Sequence, residues 1–252
     1  MTDRLAALHD SVDHLAELVS GLGPDQLTAS AYPTEWTVAD TLSHMGSGAV
    51  ILRRRLDDIL AGVETPDDAA PSVWDEWNAK SPVDQAADAL VTDRALLERL
   101  EGLSSADRER FEFSLGPRTF DFDGFVQLRL NEHALHTWDI EVGLDPVATV
   151  TAGSTVYVVD NLEMWASFTS KPTGSERTVT VETSDPSRSF TVTLGADQVT
   201  LAEGETSAAV DVALPAEAFV RLVYGRLDPA HTPEVRGDGS ALDDLRRAFP
   251  GA

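Results

Sequence analysis

The spacing of apolar residues along the chain changes near Pro146, and this change limits the possible folds more than any other feature. Before Pro146, apolar residues recur every three or four positions, as they do on one face of a helix. After it, stretches such as "RTVTVET" and "RSFTVTLG" alternate apolar and polar residues, as in strands with one buried face. The sequence therefore predicts two domains, at 1–147 and 152–252, with a boundary between Leu144 and Ser154.

The first domain is predicted to contain four long helices. Each begins with a capping residue or proline, or ends at glycine, as is typical of helix ends. The segment from Glu64 to Ser72 is rich in Pro, Asp and Ala and predicts a loop. The predicted helices are Leu5 to Val19, Thr37 to about Leu60, Pro82 to Gly102, and Asp121 to Gly143. Four long helices with modest connections indicate a helix bundle.

The second domain is predicted to be an α+β domain with an antiparallel sheet. A helix at Val156–Phe168 precedes four alternating stretches, which are separated by Gly, Asp, Pro and Glu turns. These stretches are "RTVTVET", "RSFTVTLG", "QVTLAE" and "SAAVDVALP". Further helices are predicted at Pro215–Tyr224 and Ser240–Ala248.

Charge and composition exclude several classes of partner and chemistry. The 252 residues carry a formal charge of −24, which repels phosphate backbones and anionic lipid surfaces. We therefore expect neither nucleic acid nor membranes as partners. The chain has no cysteine, so it offers no thiolate nucleophile and no sulfur ligand for a metal. The N-terminal stretch lacks the long apolar run of a signal or membrane segment, which predicts a cytoplasmic protein.

The stretch "NEHALHTWDI" contains a candidate pair of metal ligands. Glu132 and His136 are four residues apart, so both side chains project from the same face of the fourth helix. A catalytic metal site usually has three protein ligands and one open position. His44 is the best third ligand, because it is predicted to lie inside the second helix among apolar residues, where an unpaired imidazole would be costly. Asp139 could accept a hydrogen bond and fix one imidazole ring.

Structural roles explain several other residues that attract attention. His133 lies about 100° from Glu132 around the helix and is expected to point to another helix or to solvent. Trp36 is interpreted as a packing residue at a helix end, and Trp77 either as core or as part of a pocket mouth. We interpret three further histidines as surface or capping residues, namely His9, His14 and His231.

Three stretches together resemble the mycothiol-dependent maleylpyruvate isomerase family, a branch of the DinB-like metalloenzymes. They are "WTVADTLSHM", "NEHALHTWDIEVG" and the C-terminal "RLVYGRLDP…VRGDGSALDDLRRAFPG". The resemblance covers nearly the whole chain. It implies a DinB-like four-helix bundle followed by a small α+β domain that is similar to sterol-carrier folds.

The resemblance also implies a cofactor set and a reaction. His44, Glu132 and His136 would hold a divalent metal, usually zinc, and mycothiol would bind with its sulfur near that metal. In the isomerase the thiolate adds to a conjugated double bond, and the adduct rotates before elimination. The small electrophilic substrate would then need a cationic group, for which Arg226 is the first candidate and Arg221 the second.

Other functions remain compatible with the sequence. The same ligands would serve a thiol S-transferase that stops after addition to a small electrophile. A non-catalytic protein that binds a small ligand would have a structural metal with a closed coordination sphere. A metal-dependent hydrolase would need a general base near the metal, and Asp139 is the only residue that the sequence nominates.

Overall fold

The computed structural model describes residues 3–33, 35–174, 176–204 and 210–251. The chain divides into two compact units, Met1–Ala148 and Thr149–Ala252. No helix in these described ranges is both long enough and apolar enough to cross a membrane.

The first unit is a bundle of four long helices with short elements between them. In chain order its helices are α1 (Asp3–Ser20), α2 (Pro24–Leu27), α3 (Val38–Ala61), α4 (Ala69–Asn78), α5 (Pro82–Glu101), α6 (Ser105–Glu109) and α7 (Phe122–Leu144). A hairpin of β1 (Phe113–Leu115) and β2 (Arg118–Phe120) precedes α7. Helix α3 packs against α5 and α7, and α1 packs against the same two helices.

The helix ends follow from local chemistry, and the prediction of four long helices is confirmed. Thr37 and Asp40 form a reciprocal capping box at the start of α3, with Thr37 Oγ1 accepting from the Asp40 amide at 3.1 Å. Gly62 ends α3 in a left-handed conformation that favours glycine. Asp121 caps α7 by accepting a hydrogen bond from the Gly124 amide.

The loop predicted at Glu64–Ser72 is wrong in its second half, because α4 begins at Ala69. Pro71 lies in the first turn of this helix, where no intrahelical partner is lost. Trp77 is the only residue of α4 that is buried, and it packs against the α3 backbone at Gly46. Packing on α3 therefore stabilises a helix whose first residues share the Pro-, Asp- and Ala-rich composition that predicted a loop.

The second unit is an α+β domain with a five-stranded sheet. Its helices are α8 (Ala152–Val158), α9 (Leu162–Thr169), α10 (Ala216–Val223) and α11 (Gly239–Ala248), with 3-10 turns at Val159–Asn161 and Pro229–His231. Its strands are β3 (Arg177–Ser184), β4 (Arg188–Leu194), β5 (Val199–Glu203), β6 (Val212–Pro215) and β7 (Arg236–Gly237). The strand order is β5-β4-β3-β6-β7.

The sheet is mixed, so the prediction of an antiparallel sheet holds for three of its four strand pairs. Strands β3, β4 and β5 form an antiparallel meander, and β7 is antiparallel to β6, but β6 pairs with β3 in parallel. Alternation of polar and apolar residues is the same in both kinds of pairing, so it could not reveal the crossover between β5 and β6.

Residues 207–209 of the predicted "SAAVDVALP" strand lie outside the described part of the chain. The predicted helix Val156–Phe168 is interrupted by the first 3-10 turn.

The close packing at Gly46 yields the first testable prediction. A Cβ atom at this position would lie 2.3 Å from Trp77 Cη2 and 2.9 Å from Ala89 Cα. Gly46→Ala should therefore lower the free energy of unfolding by about 1–3 kcal/mol, as overpacking does in other cores. Gly48→Ala, in the same helix, should be neutral or stabilising, because its nearest neighbour lies 3.4 Å away. Denaturant unfolding checks both values, and equal stabilities for the two variants would contradict the packing.

Candidate metal centre

His44, Glu132 and His136 meet at one place in the first unit, although they come from two helices. His44 lies on α3, while Glu132 and His136 lie one turn apart on α7. One potential ligand atom from each residue lies within 4.8 Å of the other two. This is the one such group of three histidine or acidic residues found among the described residues.

The spacing within this group suits a divalent metal. Glu132 Oε2 lies 3.5 Å from His44 Nε2 and 3.5 Å from His136 Nε2. Two ligands of a tetrahedral zinc ion, each about 2.1 Å from the metal, are separated by about 3.4 Å. The two imidazole rings meet edge to face, with their centroids 4.6 Å apart. The donor set and its spacing therefore fit zinc.

The group is open on one side, and His44 is the most exposed member. About 42% of the His44 side chain is exposed, compared with 38% for Glu132 and 11% for His136. The expectation that His44 is deeply buried was wrong, because the apolar face of α3 is formed by Leu42, Met45 and Ala49. His44 lies beside that face, not on it. The exposed side leaves room for a further ligand.

The electrostatics of the group follow from two imidazoles that flank one carboxylate. Burial acts to raise the pKa of Glu132, but His136 and His44 hold that pKa well below its usual range. Burial acts to lower the pKa of His136, but Asp139 and Glu132 raise it above its ordinary value of 6.5. Glu132 is therefore ionised at neutral pH, as a metal ligand must be.

Asp139 holds the inner ring of the group. Its side chain is fully buried, and Oδ2 lies 2.9 Å from His136 Nδ1. A carboxylate at this distance favours the tautomer with the proton on Nδ1, which leaves the Nε2 lone pair facing Glu132. The role of Asp139 as a support for a metal ligand stays a prediction.

Trp36 is a component of the site that the sequence analysis did not find. Its half-buried ring lies 5.2 Å from the His44 ring and 6.1 Å from the His136 ring, measured between centroids. It was interpreted as a packing residue, and it does pack, but against the two imidazoles. Its place directly before the cap of α3, the helix that carries His44, was the available signal.

His133 is buried in the bundle and does not join the three ligands. Its Nδ1 lies 2.8 Å from Ser11 Oγ of α1, and its Nε2 lies 3.4 Å from Asp93 Oδ2 of α5. Burial lowers the pKa of His133, which outweighs the opposite effect of Asp93. Of the two expected directions, another helix or solvent, the structure shows the first. The buried acidic partner was not predicted.

The two arginines proposed for substrate binding lie in the second unit. Arg221 is buried and forms a paired contact with Glu217, with nitrogen–oxygen distances of 2.7 and 3.0 Å. It also donates to the carbonyl of His231. Arg226 is half-buried and donates to the carbonyl of Tyr224 at 3.0 Å. Arg221 therefore has a structural role within its own unit, and the part of either arginine in substrate binding stays a prediction.

Comparison with known proteins identifies the family. Residues 8–141 match the model of the mycothiol maleylpyruvate isomerase N-terminal domain. That match covers more than half of the chain, and the chain belongs to this family. No curated protein sequence gives a significant match.

Solved structures support the fold over most of the chain. The mycothiol-dependent maleylpyruvate isomerase and a mutant of it, with one histidine replaced by alanine, each match with a TM-score of 0.65. Each alignment covers 90% of this chain and 90% of the other chain, at 15% sequence identity. The predicted fold class, a helical N-terminal bundle followed by a part that contains a sheet, is confirmed.

The environment of His136 yields a prediction for the metal-free protein. Its imidazole should titrate above 6.5, and Asp139→Asn should lower this pKa, because the buried negative charge that stabilises the imidazolium is removed. Glu141 lies on the same helix as His136, but its partner is His14. Glu141→Gln should therefore leave the His136 titration unchanged. NMR titration of the histidine rings measures these values. A His136 pKa at or below 6.5 in the wild-type protein would contradict the assignment.

Proposed function

We propose that this protein is a divalent-metal enzyme that uses mycothiol, as a maleylpyruvate-type cis-trans isomerase or as a thiol S-transferase acting on a small electrophile. Family membership supports the thiol and the isomerase chemistry. The observation that supports a bound metal is that two imidazole nitrogens each lie 3.5 Å from the same carboxylate oxygen. We propose His44, Glu132 and His136 as the ligands and zinc as the metal.

The chain's own residues would prepare the site for a thiol. When bound, zinc would lower the pKa of a nearby thiol, so that the thiolate is present at neutral pH. The chain contains no cysteine, so the sulfur must come from a small molecule. Glu132 brings a negative charge to the metal, while Asp139 keeps the proton of His136 on Nδ1, away from the metal.

The open side of the group favours a catalytic metal over a structural one. Structural zinc sites have four protein ligands, whereas catalytic sites have three and leave a position for substrate or water. Three candidate ligands meet among the described residues, and the side chains of His44 and Glu132 are both partly exposed. Trp36 borders the two imidazoles and would limit the access of water on its side.

Two further roles extend the proposal to the substrate. Arg226 would bind a substrate carboxylate through its guanidinium, as arginine does with planar anions. A hydrolase is less well supported, since its nominated base, Asp139, is fully buried and contacts His136. The cytoplasmic location that the sequence suggests stays a prediction.

Removal of single ligands tests the proposal. His44→Ala and His136→Ala should each abolish stoichiometric zinc binding and lower mycothiol-dependent turnover by about 100-fold or more, because a catalytic metal contributes several kcal/mol. His14→Ala is the matched control, since the exposure of His14 is similar to that of His44 and its Nε2 lies 3.3 Å from Glu141, which is not a proposed ligand. Elemental analysis and a mycothiol-dependent maleylpyruvate isomerisation assay provide the two measurements.

The assay also separates the two reactions. An isomerase returns mycothiol unchanged after each turnover, whereas an S-transferase consumes it in stoichiometric amounts. A wild-type protein that is folded, binds no divalent metal and has no thiol-dependent activity would contradict the proposal.

A further inference from the structure

A buried charged cluster lies in the bundle core beside the candidate metal centre. It consists of Asp93 on α5 and Arg129 and His133 on α7, and their side chains are 2%, 3% and 0% exposed. The Arg129 guanidinium donates to the Asp93 carboxylate. Burial acts to raise the pKa of Asp93, but Arg129 and His133 lower it, so the carboxylate is charged at neutral pH.

Arg129 also contacts the helix that supplies His44. Its Nη2 donates to the backbone carbonyl of Met45 on α3 at 3.0 Å, one residue after His44. Its Nη1 lies near α3 at Gly48, where a Cβ atom would be 3.4 Å away. A single guanidinium therefore connects α3, α5 and α7.

Arg129 lies on α7 just N-terminal to the two proposed ligands of that helix. Glu132 follows it by three residues and His136 by seven, so all three share one helix face. The Met45 carbonyl belongs to the residue that follows His44 on α3. The hydrogen bond therefore joins the two ligand-bearing helices next to His44, about one turn from Glu132 and about two turns from His136.

The burial of three ionisable groups in this part of the core carries a desolvation cost. Arg129 Nε, Asp93 Oδ2 and His133 Nε2 make no hydrogen bond within the described part of the chain. Well-packed apolar residues in place of a buried ion pair are often neutral or stabilising. Fold stability alone is therefore a weak reason for charges at this place.

We propose that Arg129 is a positioning residue that fixes His44 relative to Glu132 and His136, with Asp93 holding its guanidinium in place. This inference rests on the proposed metal function. Both hydrogen bonds come from Nη2 of the planar guanidinium, which carries two protons. The shorter side chain of lysine does not carry its nitrogen as far as Nη2, so it does not reach both acceptors from the same backbone position.

Two variants separate positioning from general stability. Arg129→Lys keeps the charge opposite Asp93 but shortens the side chain, so that the hydrogen bond to the Met45 carbonyl is lost. The double variant Arg129→Met with Asp93→Leu replaces the buried ion pair by apolar side chains and leaves no unpaired charge. Leu56→Ala is the matched control, because Leu56 is buried on α3 but lies 12 residues beyond His44, which is about 18 Å along the helix.

The test uses the full chain and measures zinc affinity by competition with a chelating dye. The visible spectrum of the cobalt-substituted protein provides a second readout that reports ligand geometry. Both Arg129 variants should remain folded, bind zinc about 10-fold or more weakly and show an altered cobalt spectrum, as changes next to metal ligands do in other proteins. Leu56→Ala should lose stability but keep wild-type affinity and spectrum.

Two results would overturn the inference without affecting the proposed function. One is wild-type zinc affinity in a folded Arg129 variant. The other is a loss of affinity in Leu56→Ala equal to that in the Arg129 variants, which would show that affinity follows stability alone. A wild-type chain that binds no zinc would instead refute the metal site itself, and the inference with it.

Discussion

The contact of α3 with α5 and α7 governs the geometry of the candidate site, because the three proposed ligands come from two of these helices. Gly46 lets α3 approach α5 closely, and Trp77 of α4 fills the space over that glycine. Thr92 of α5 adds a hydrogen bond to the Gly46 carbonyl at 3.3 Å. A shift of α3 by one residue would move His44 about 1.5 Å along the helix and rotate it away from Glu132.

The chain as a whole is strongly negative, whereas the candidate site would be locally positive once a divalent cation is bound. The chain has a formal charge of −24, so its averaged field would repel an anionic substrate. The site itself places two imidazoles beside one carboxylate, and a bound divalent cation would make it locally positive. An acidic substrate would therefore depend on that local positive charge.

The sequence was sufficient to predict the parts of the fold that have local causes. Thr37 and the proline at the start of α5 mark helix starts by their own chemistry, and the spacing of Glu132 and His136 is a property of one helix. Features that depend on tertiary contacts were missed. Helix α4 is held by the packing of Trp77, and the parallel pairing of β6 depends on a crossover that a period of two cannot encode.

The candidate site shows the same division between local and tertiary causes. His44 was selected as a ligand on the argument that it is buried, whereas in the structure it lies on the exposed edge of the site. Its proximity to Glu132 depends on how α3 crosses α7. The position of Trp36 against two imidazoles, and the link from Arg129 to the Met45 carbonyl, also require the assembled bundle. No residue spacing within one helix predicts them.

X-ray absorption spectroscopy of the zinc-loaded protein, before and after addition of mycothiol, would show whether the thiol binds to the metal. Before addition, we expect a zinc shell of two imidazole nitrogens and carboxylate or water oxygens at about 2.0–2.2 Å. After addition, one oxygen should be replaced by sulfur at about 2.3 Å. A shell that is unchanged by mycothiol would contradict a site that activates the thiol on the metal.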